Sequence, residues 1–254
     1  MIFRFQYTSL LLVSFFLYGI ATAQKSTYEN VKKFYDSFEK SGDTYDPPVR
    51  FINASDFPKG NDIELLQIIL IRHAEPKIKR KGWTTFYEAV DLRHAYDTVE
   101  VYEISKSPVI VRPDEVKNIR CSPLVRARTT AEQLFETGHH IIYDSTFIEF
   151  RNEVIPIPWI KLPLKFWLVT SRLFWMAGLH SDHVPNLSTE KQRARRGMEK
   201  LTTWAEEEKR IVLVAHGFLN RYLIRYLKKA GWQHSFDGGY GYANVQVLTK
   251  IADK

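Results

Sequence analysis

Leu65-Leu66-Gln67-Ile68-Ile69-Leu70-Ile71, followed at once by Arg72-His73, is the stretch from which the rest of the chain can be read. A near-continuous apolar run of strand length is what a strand buried on both faces requires, as in a parallel sheet covered by helices. The pattern returns at Ile211-Val212-Leu213-Val214-Ala215, which also ends in a histidine, His216-Gly217. Between them lie two shorter strand signals, Asn118-Ile119-Arg120-Cys121-Ser122, stopped by Pro123, and His140-Ile141-Ile142-Tyr143. Helical stretches separate the strands: Trp83 to Tyr102, Leu124 to Glu136 closed by Gly138, Ser188 through Glu208, and Phe218 to Ala230. Tyr242 to Thr249 reads as a final edge strand. Strands alternating with helices predict a three-layer α/β/α sandwich with a mostly parallel central sheet. In such sheets function collects at the carboxyl ends of the strands.

Around this frame, the chain of 254 residues is ordinary in bulk, 44% hydrophobic and 26% charged, with enough residues for one domain carrying an insertion. Its net charge of +7 is spread along the sequence and favours anionic ligands in general, phosphorylated small molecules included. At the start, Arg4, the apolar run Leu10 to Ile20 and the small residues Ala21-Thr22-Ala23 read as a secretory signal peptide over residues 1–23. The expectation is an exported protein, periplasmic or extracellular, with no stable membrane insertion once the peptide is removed. Residues 24–61, polar and containing Pro47-Pro48, read as an N-terminal extension with a helix around Tyr28–Lys40, and 62–254 as the main domain. A single cysteine, Cys121, excludes an internal disulfide and reads as a buried strand residue.

The unusual residues sit at the strand ends. Arg72-His73 closes the first strand, Arg126 opens the helix after the second, Glu149 follows the third, and His216 closes the fourth. Each alone has a bland reading, a structural histidine or a solvated arginine, but together they converge on one rim of the sheet. Their chemistry is coherent. Guanidinium groups pair with phosphate oxygens without losing charge, neutral imidazole is a nucleophile near neutral pH, and a carboxylic acid can protonate a departing alkoxide. Phosphoryl transfer asks mainly for positioning and positive charge, so the set needs no metal and no cofactor.

With Leu70-Ile71-Arg72-His73-Ala74-Glu75, Cys121-Ser122-Pro123-Leu124-Val125-Arg126-Ala127-Arg128-Thr129-Thr130-Ala131 and Val214-Ala215-His216-Gly217, each following a strand, the sequence resembles the histidine phosphatase superfamily, of phosphoglycerate-mutase-like fold. The resemblance runs from about Leu65 to Thr249. It implies that His73 is transiently phosphorylated, that Arg72, Arg126 and His216 form the phosphate pocket, and that Glu149 is the proton donor. The reaction implied is metal-independent hydrolysis of a small-molecule phosphate monoester, with a phosphoglycerate-type mutase or an inactive phospho-ligand binder as alternatives. There are departures. Ala74 stands where the family usually has glycine, and Phe150-Arg151-Asn152-Glu153-Val154-Ile155-Pro156 replaces a glycine-containing stretch, which makes Glu153 a rival for the acid.

Other readings are weaker. Four residues separate Cys121 from Arg126 and six separate it from Arg128, and neither spacing suits a cysteine-phosphatase loop. His139-His140, and His180 with His183, lack the further ligands of a metal site. Gly238-Gly239-Tyr240-Gly241 reads as a turn, and nucleic acid is not an expected partner. Residues of about 151–187 read as a cap insertion. Its aromatic stretch, with Trp167 and Phe174 seven apart on one helical face, reads as packing over the sheet rather than as a membrane-surface patch. Arg151 and Arg172, beside it, could touch substrate.

Overall fold

The run that begins at Leu65 is strand β1 (Leu65–Arg72), one of two central strands in a six-stranded sheet. The computed structural model describes residues 24–41, 44–57, 64–78, 82–135, 137–151, 159–179 and 181–252, together with Thr22, Glu153, Val154 and Pro156. The expected signal peptide therefore lies outside the described residues, Thr22 excepted. The other sheet strands are β2 (Asn118–Cys121), β3 (His140–Tyr143), β4 (Arg210–Ala215), β5 (Gln233–Asp237) and β6 (Val245–Ile251). Across the sheet their order is β5-β6-β1-β4-β2-β3. Strands β1, β4, β2 and β3 are parallel, and β6 runs antiparallel to both β1 and β5. The last strand is thus interior, not an edge; the edge on that side is β5, whose sequence Gln-His-Ser-Phe-Asp carries no apolar run to announce it.

The helices are α1 (residues 24–35), α2 (Phe86–Thr98), α3 (Val125–Phe135), α4 (Leu164–Met176), α5 (Leu187–Glu208) and α6 (Gly217–Lys229). Alternate residues of β1 feed two cores, as the period of a strand requires. Leu65, Ile69 and Ile71 pack with Val31 and Tyr35 of α1 and Ala127, Ala131 and Phe135 of α3. Leu66, Ile68 and Leu70 pack with Ala194, Leu201 and Ala205 of α5, Leu219, Leu223 and Leu227 of α6, and Trp175 of α4. Three layers follow. Gln67 interrupts the apolar run without loss, because its buried amide pairs with both the N–H and the C=O of Ile52, at 2.9 Å each. Gln67→Leu would leave those two groups unpaired, at about 1–3 kcal/mol each.

The N-terminal segment packs into the first core. Its helix spans residues 24–35 and is followed by a hairpin pairing Glu39–Ser41 with Thr44–Asp46. Tyr35, Phe38, Tyr45, Val49 and Phe51 all enter the first core. Tyr45 Oη also reaches the loop before β6, donating toward Gly238 O (3.1 Å) or Asn244 Oδ1 (3.2 Å), and Lys40 donates to the same Asn244 oxygen. Gly238 permits that approach, since a Cβ there would lie 2.0 Å from the Tyr45 oxygen.

Helix α2 is shorter than its sequence suggests because Thr85 starts it with a capping box to Glu88, leaving Trp83–Thr84 to pair with Leu162–Pro163. In α4 the buried residues are Trp167, Ser171 and Trp175, four apart, whereas Phe174 is exposed. Only the Trp167 half of the expected face packs inward. Cys121 is buried as expected, and burial pushes its thiol far above the usual range.

Candidate active site

Neighbouring parallel strands bring the two histidines together. Ala215 of β4 lies in register with Arg72 of β1, and the His73 N–H donates to Ala215 O at 2.9 Å. His73 and His216, the residues after these two strands, end with ring centroids 5.3 Å apart, both buried. Strand β2 flanks β4, and the Ser122 N–H donates to Val214 O, which sets Ser122 beside His216.

The tautomers follow from the partners. His73 Nδ1 lies 2.8 Å from Ala74 O, a group that can only accept. The proton is therefore on Nδ1, and Nε2 presents a bare lone pair. Burial first, then Arg126 and Arg72, holds the His73 imidazole well below its ordinary value, so the ring is neutral. His216 Nε2 lies 2.8 Å from Ser122 Oγ, which also accepts from the Leu124 N–H at 3.4 Å. His216 Nδ1 has no partner among the described residues, so a hydroxyl donating to Nε2 would leave the ring proton on Nδ1. Burial and the nearby Arg126 keep His216 neutral as well.

Each arginine is held by an aromatic ring and a specific acceptor. Arg72 stacks 4.3 Å from the Tyr242 ring and donates to Tyr240 O. Gly217 lets it lie flat, because a Cβ there would sit 3.1 Å from Arg72 Nε. Arg126 stacks 4.7 Å from the Tyr96 ring and donates to Tyr96 O (3.1 Å) and Asp97 Oδ1 (2.7 Å). Burial alone would raise the Asp97 carboxyl, but Arg93 and Arg126 hold it below its ordinary value. The two tyrosine hydroxyls lie 3.4 Å apart, and both rings approach His73. Arg72 Nε, Arg126 Nε and His216 Nδ1 are all buried without partners among the described residues. Buried polar groups are normally satisfied, and these three are groups that a bound anion could take up.

Glu149 stands at the amino end of α6, one residue beyond His216. Its carboxylate accepts from the N–H groups of Leu219 (3.0 Å), Phe218 (3.2 Å) and Phe150 (2.9 Å). Arg193 fixes the loop before it through Thr146 O and Ile148 O. Glu153 is instead engaged by Ser181, whose hydroxyl donates to it at 2.8 Å. Both glutamates line a cavity of about 610 Å³ with Phe86, Val90, Leu124 and Val154. Arg151 also lines it, whereas Arg172 turns inward, donating to Phe150 O at 3.0 Å. His73, His216, Arg72 and Arg126 lie together at the rim of the sheet, and Glu149 stands beside His216 at the amino end of α6. The site adds Ser122, Tyr96, Asp97 and Tyr242, of which only Ser122, at a strand end, carried a signal.

His139 bonds Val116 O through Nδ1, His140 and His183 are exposed, and His180 lies outside the described residues. Among the described residues no group of three or more His, Cys, Asp or Glu could hold a metal.

The sequence matches the model of the histidine phosphatase superfamily (branch 1) over residues 68–253, and the protein belongs to that superfamily. Its activity therefore falls among phosphatases and related mutases. Similar solved structures include a mycobacterial glucosyl-3-phosphoglycerate phosphatase, 19% identical over 73% of this chain and 90% of that one, with a TM-score of 0.43. They also include the ecdysone phosphate phosphatase of Bombix mori in complex with tungstate, 10% identical over 74% and 92%, with a TM-score of 0.43. A third is a phosphoserine phosphatase of Entamoeba histolytica in complex with phosphoserine, 15% identical over 74% and 95%, with a TM-score of 0.37. No curated protein matches the chain.

Proposed function

We propose that the protein hydrolyses phosphate monoesters without a metal, through a phosphohistidine on His73. The observation that carries this reading is the 2.8 Å contact from His73 Nδ1 to Ala74 O, which leaves Nε2 as the nucleophile. Arg72, Arg126 and His216 Nδ1–H would hold the phosphate oxygens. Nε2 attacks phosphorus as the bond to the ester oxygen breaks, and Glu149 gives its proton to that oxygen. Water then attacks the phosphohistidine, passes a proton back to Glu149, and releases phosphate and neutral His73.

Turnover of p-nitrophenyl phosphate in the presence of EDTA tests the reading, with rapid-quench labelling alongside. The label is expected to be acid-labile, base-stable and absent from His73→Ala. Label on Cys121 or Ser122 would overturn the mechanism. Activity that requires a bisphosphate primer would make the protein a mutase, and no turnover would make it a binder. Export is part of the same proposal, resting on Leu10 to Ile20 and Ala21-Thr22-Ala23; amino-terminal sequencing of the native protein should begin at or near Gln24.

A further inference from the structure

Helix α4 has two apolar faces, and only one of them is covered. Trp167 and Trp175 are buried, while on the other side Phe166 and Leu173 are each 59% exposed and Phe174 is also open. The chain leading into the helix adds Trp159, 89% exposed, and the chain leaving it adds Leu179. Trp83, 70% exposed, lies beside the helix entry through its pairing with Pro163. Monomeric proteins seldom show so many large apolar side chains in one region unless something binds there.

The charges of this segment itself have one sign. From Val154 through Ser181 the sequence contains no aspartate or glutamate, and it contains Lys161, Lys165 and Arg172. Arg172 is turned inward onto Phe150 O, which leaves the exposed Lys161 and Lys165 as the charges of the outer face. We propose that the outer face of α4, with Trp159 and Trp83, is a docking surface for an anionic lipid membrane. The apolar side chains would enter the boundary between headgroups and acyl chains, the indoles would sit at headgroup level, and the two ammonium groups would meet lipid phosphates. A twofold dimer through this face is disfavoured, because each copy would bring the same two lysines to the seam. The helix, 13 residues and about 20 Å long, lies on a membrane rather than spanning it. Among the described residues no helix is long and apolar enough to cross one. Docking would also bear on the site, because Trp167 on the inner face packs with Phe86, Val90 and Val154, which wall the cavity beside Glu149. The surface itself requires no catalytic residue.

Flotation of the full chain with vesicles tests this. Phosphatidylcholine alone is compared with phosphatidylcholine and phosphatidylserine at about 3:1. The protein should float with the mixed vesicles and much less with phosphatidylcholine, and salt should weaken the association. Phe166→Ser, Leu173→Ser and Phe174→Ser together should lower the bound fraction about tenfold or more. The melting transition should fall by only a few degrees, since most of the surface of these side chains is already exposed and serine is only a modestly poorer helix former. Lys161→Glu with Lys165→Glu should remove the preference for phosphatidylserine. Three results would overturn the proposal: no flotation with either vesicle, equal flotation of the triple variant, which would place the attachment elsewhere in the chain, or equal flotation with both lipids. A concentration-dependent dimer abolished by the same triple substitution would assign the face to a second copy instead.

Discussion

Ser122 Oγ lies 2.8 Å from His216 Nε2, and this contact leaves Nδ1 as the ring nitrogen without a partner among the described residues. Ser122 is a positioning residue, acting through the imidazole. Ser122→Ala should lower kcat about tenfold by releasing the tautomer, with KM little changed. His216→Ala should lose far more. Steady-state kinetics on both variants checks this, and equal losses would mean that Ser122 meets the substrate itself.

Glu149 and Glu153 line the same cavity but are held differently, the first against the amino end of α6 and the second by Ser181. Glu149→Gln should depress hydrolysis of alkyl phosphates by about 10² to 10⁴ and spare p-nitrophenyl phosphate, whose leaving group needs no proton. Glu153→Gln should show no such leaving-group dependence. The reverse pattern would move the acid to Glu153.

Gly217→Ala would place a methyl group 3.1 Å from Arg72 Nε, while the Tyr242 ring already stacks 4.3 Å from the guanidinium. Arg72 must shift. Inhibition by inorganic phosphate or vanadate should weaken about tenfold, corresponding to one impaired charge-assisted pair. Unchanged inhibition constants would show that Arg72 does not bind the anion.

His73 and His216 are both held well below 6.5, by burial and the neighbouring arginines. Between that value and their native ones, the unfolded chain binds protons that the folded chain cannot. Stability should therefore fall as pH is lowered through 6.5 and below, and be fully present above it. Melting temperatures across this range should drop less steeply for His216→Gln, and an identical slope would contradict the assignment.

The sheet was legible from sequence where burial on two faces writes an apolar run, as at Leu65–Ile71 and Ile211–Ala215. It was not legible at β5, where an edge strand of mixed polarity carries no such run. Arg72, His73 and His216 could be marked in the sequence because they close or directly follow a buried strand, whereas Arg126 and Glu149 lie further along, in the helix after β2 and the loop after β3. Tyr96, Asp97 and Tyr242 acquire their roles only when distant segments meet. Tyr242 reaches His73 because β6 is antiparallel, so the loop before it lies at the rim where β1 ends. The spacing of Trp167 and Phe174 suggested a shared face, but α4 buries residues four apart and leaves Phe174 outside.

The loop that carries Tyr240 and Tyr242 to Arg72 is braced from below by Tyr45 and Lys40. Those two residues precede residue 68, where the match to the superfamily begins. A clone trimmed to the matched region would lose that brace, along with Tyr35, Phe38 and Phe51 from the first core. Expression boundaries for this protein should therefore be drawn upstream of α1, and an inactive short fragment would say nothing about the chemistry of the intact enzyme.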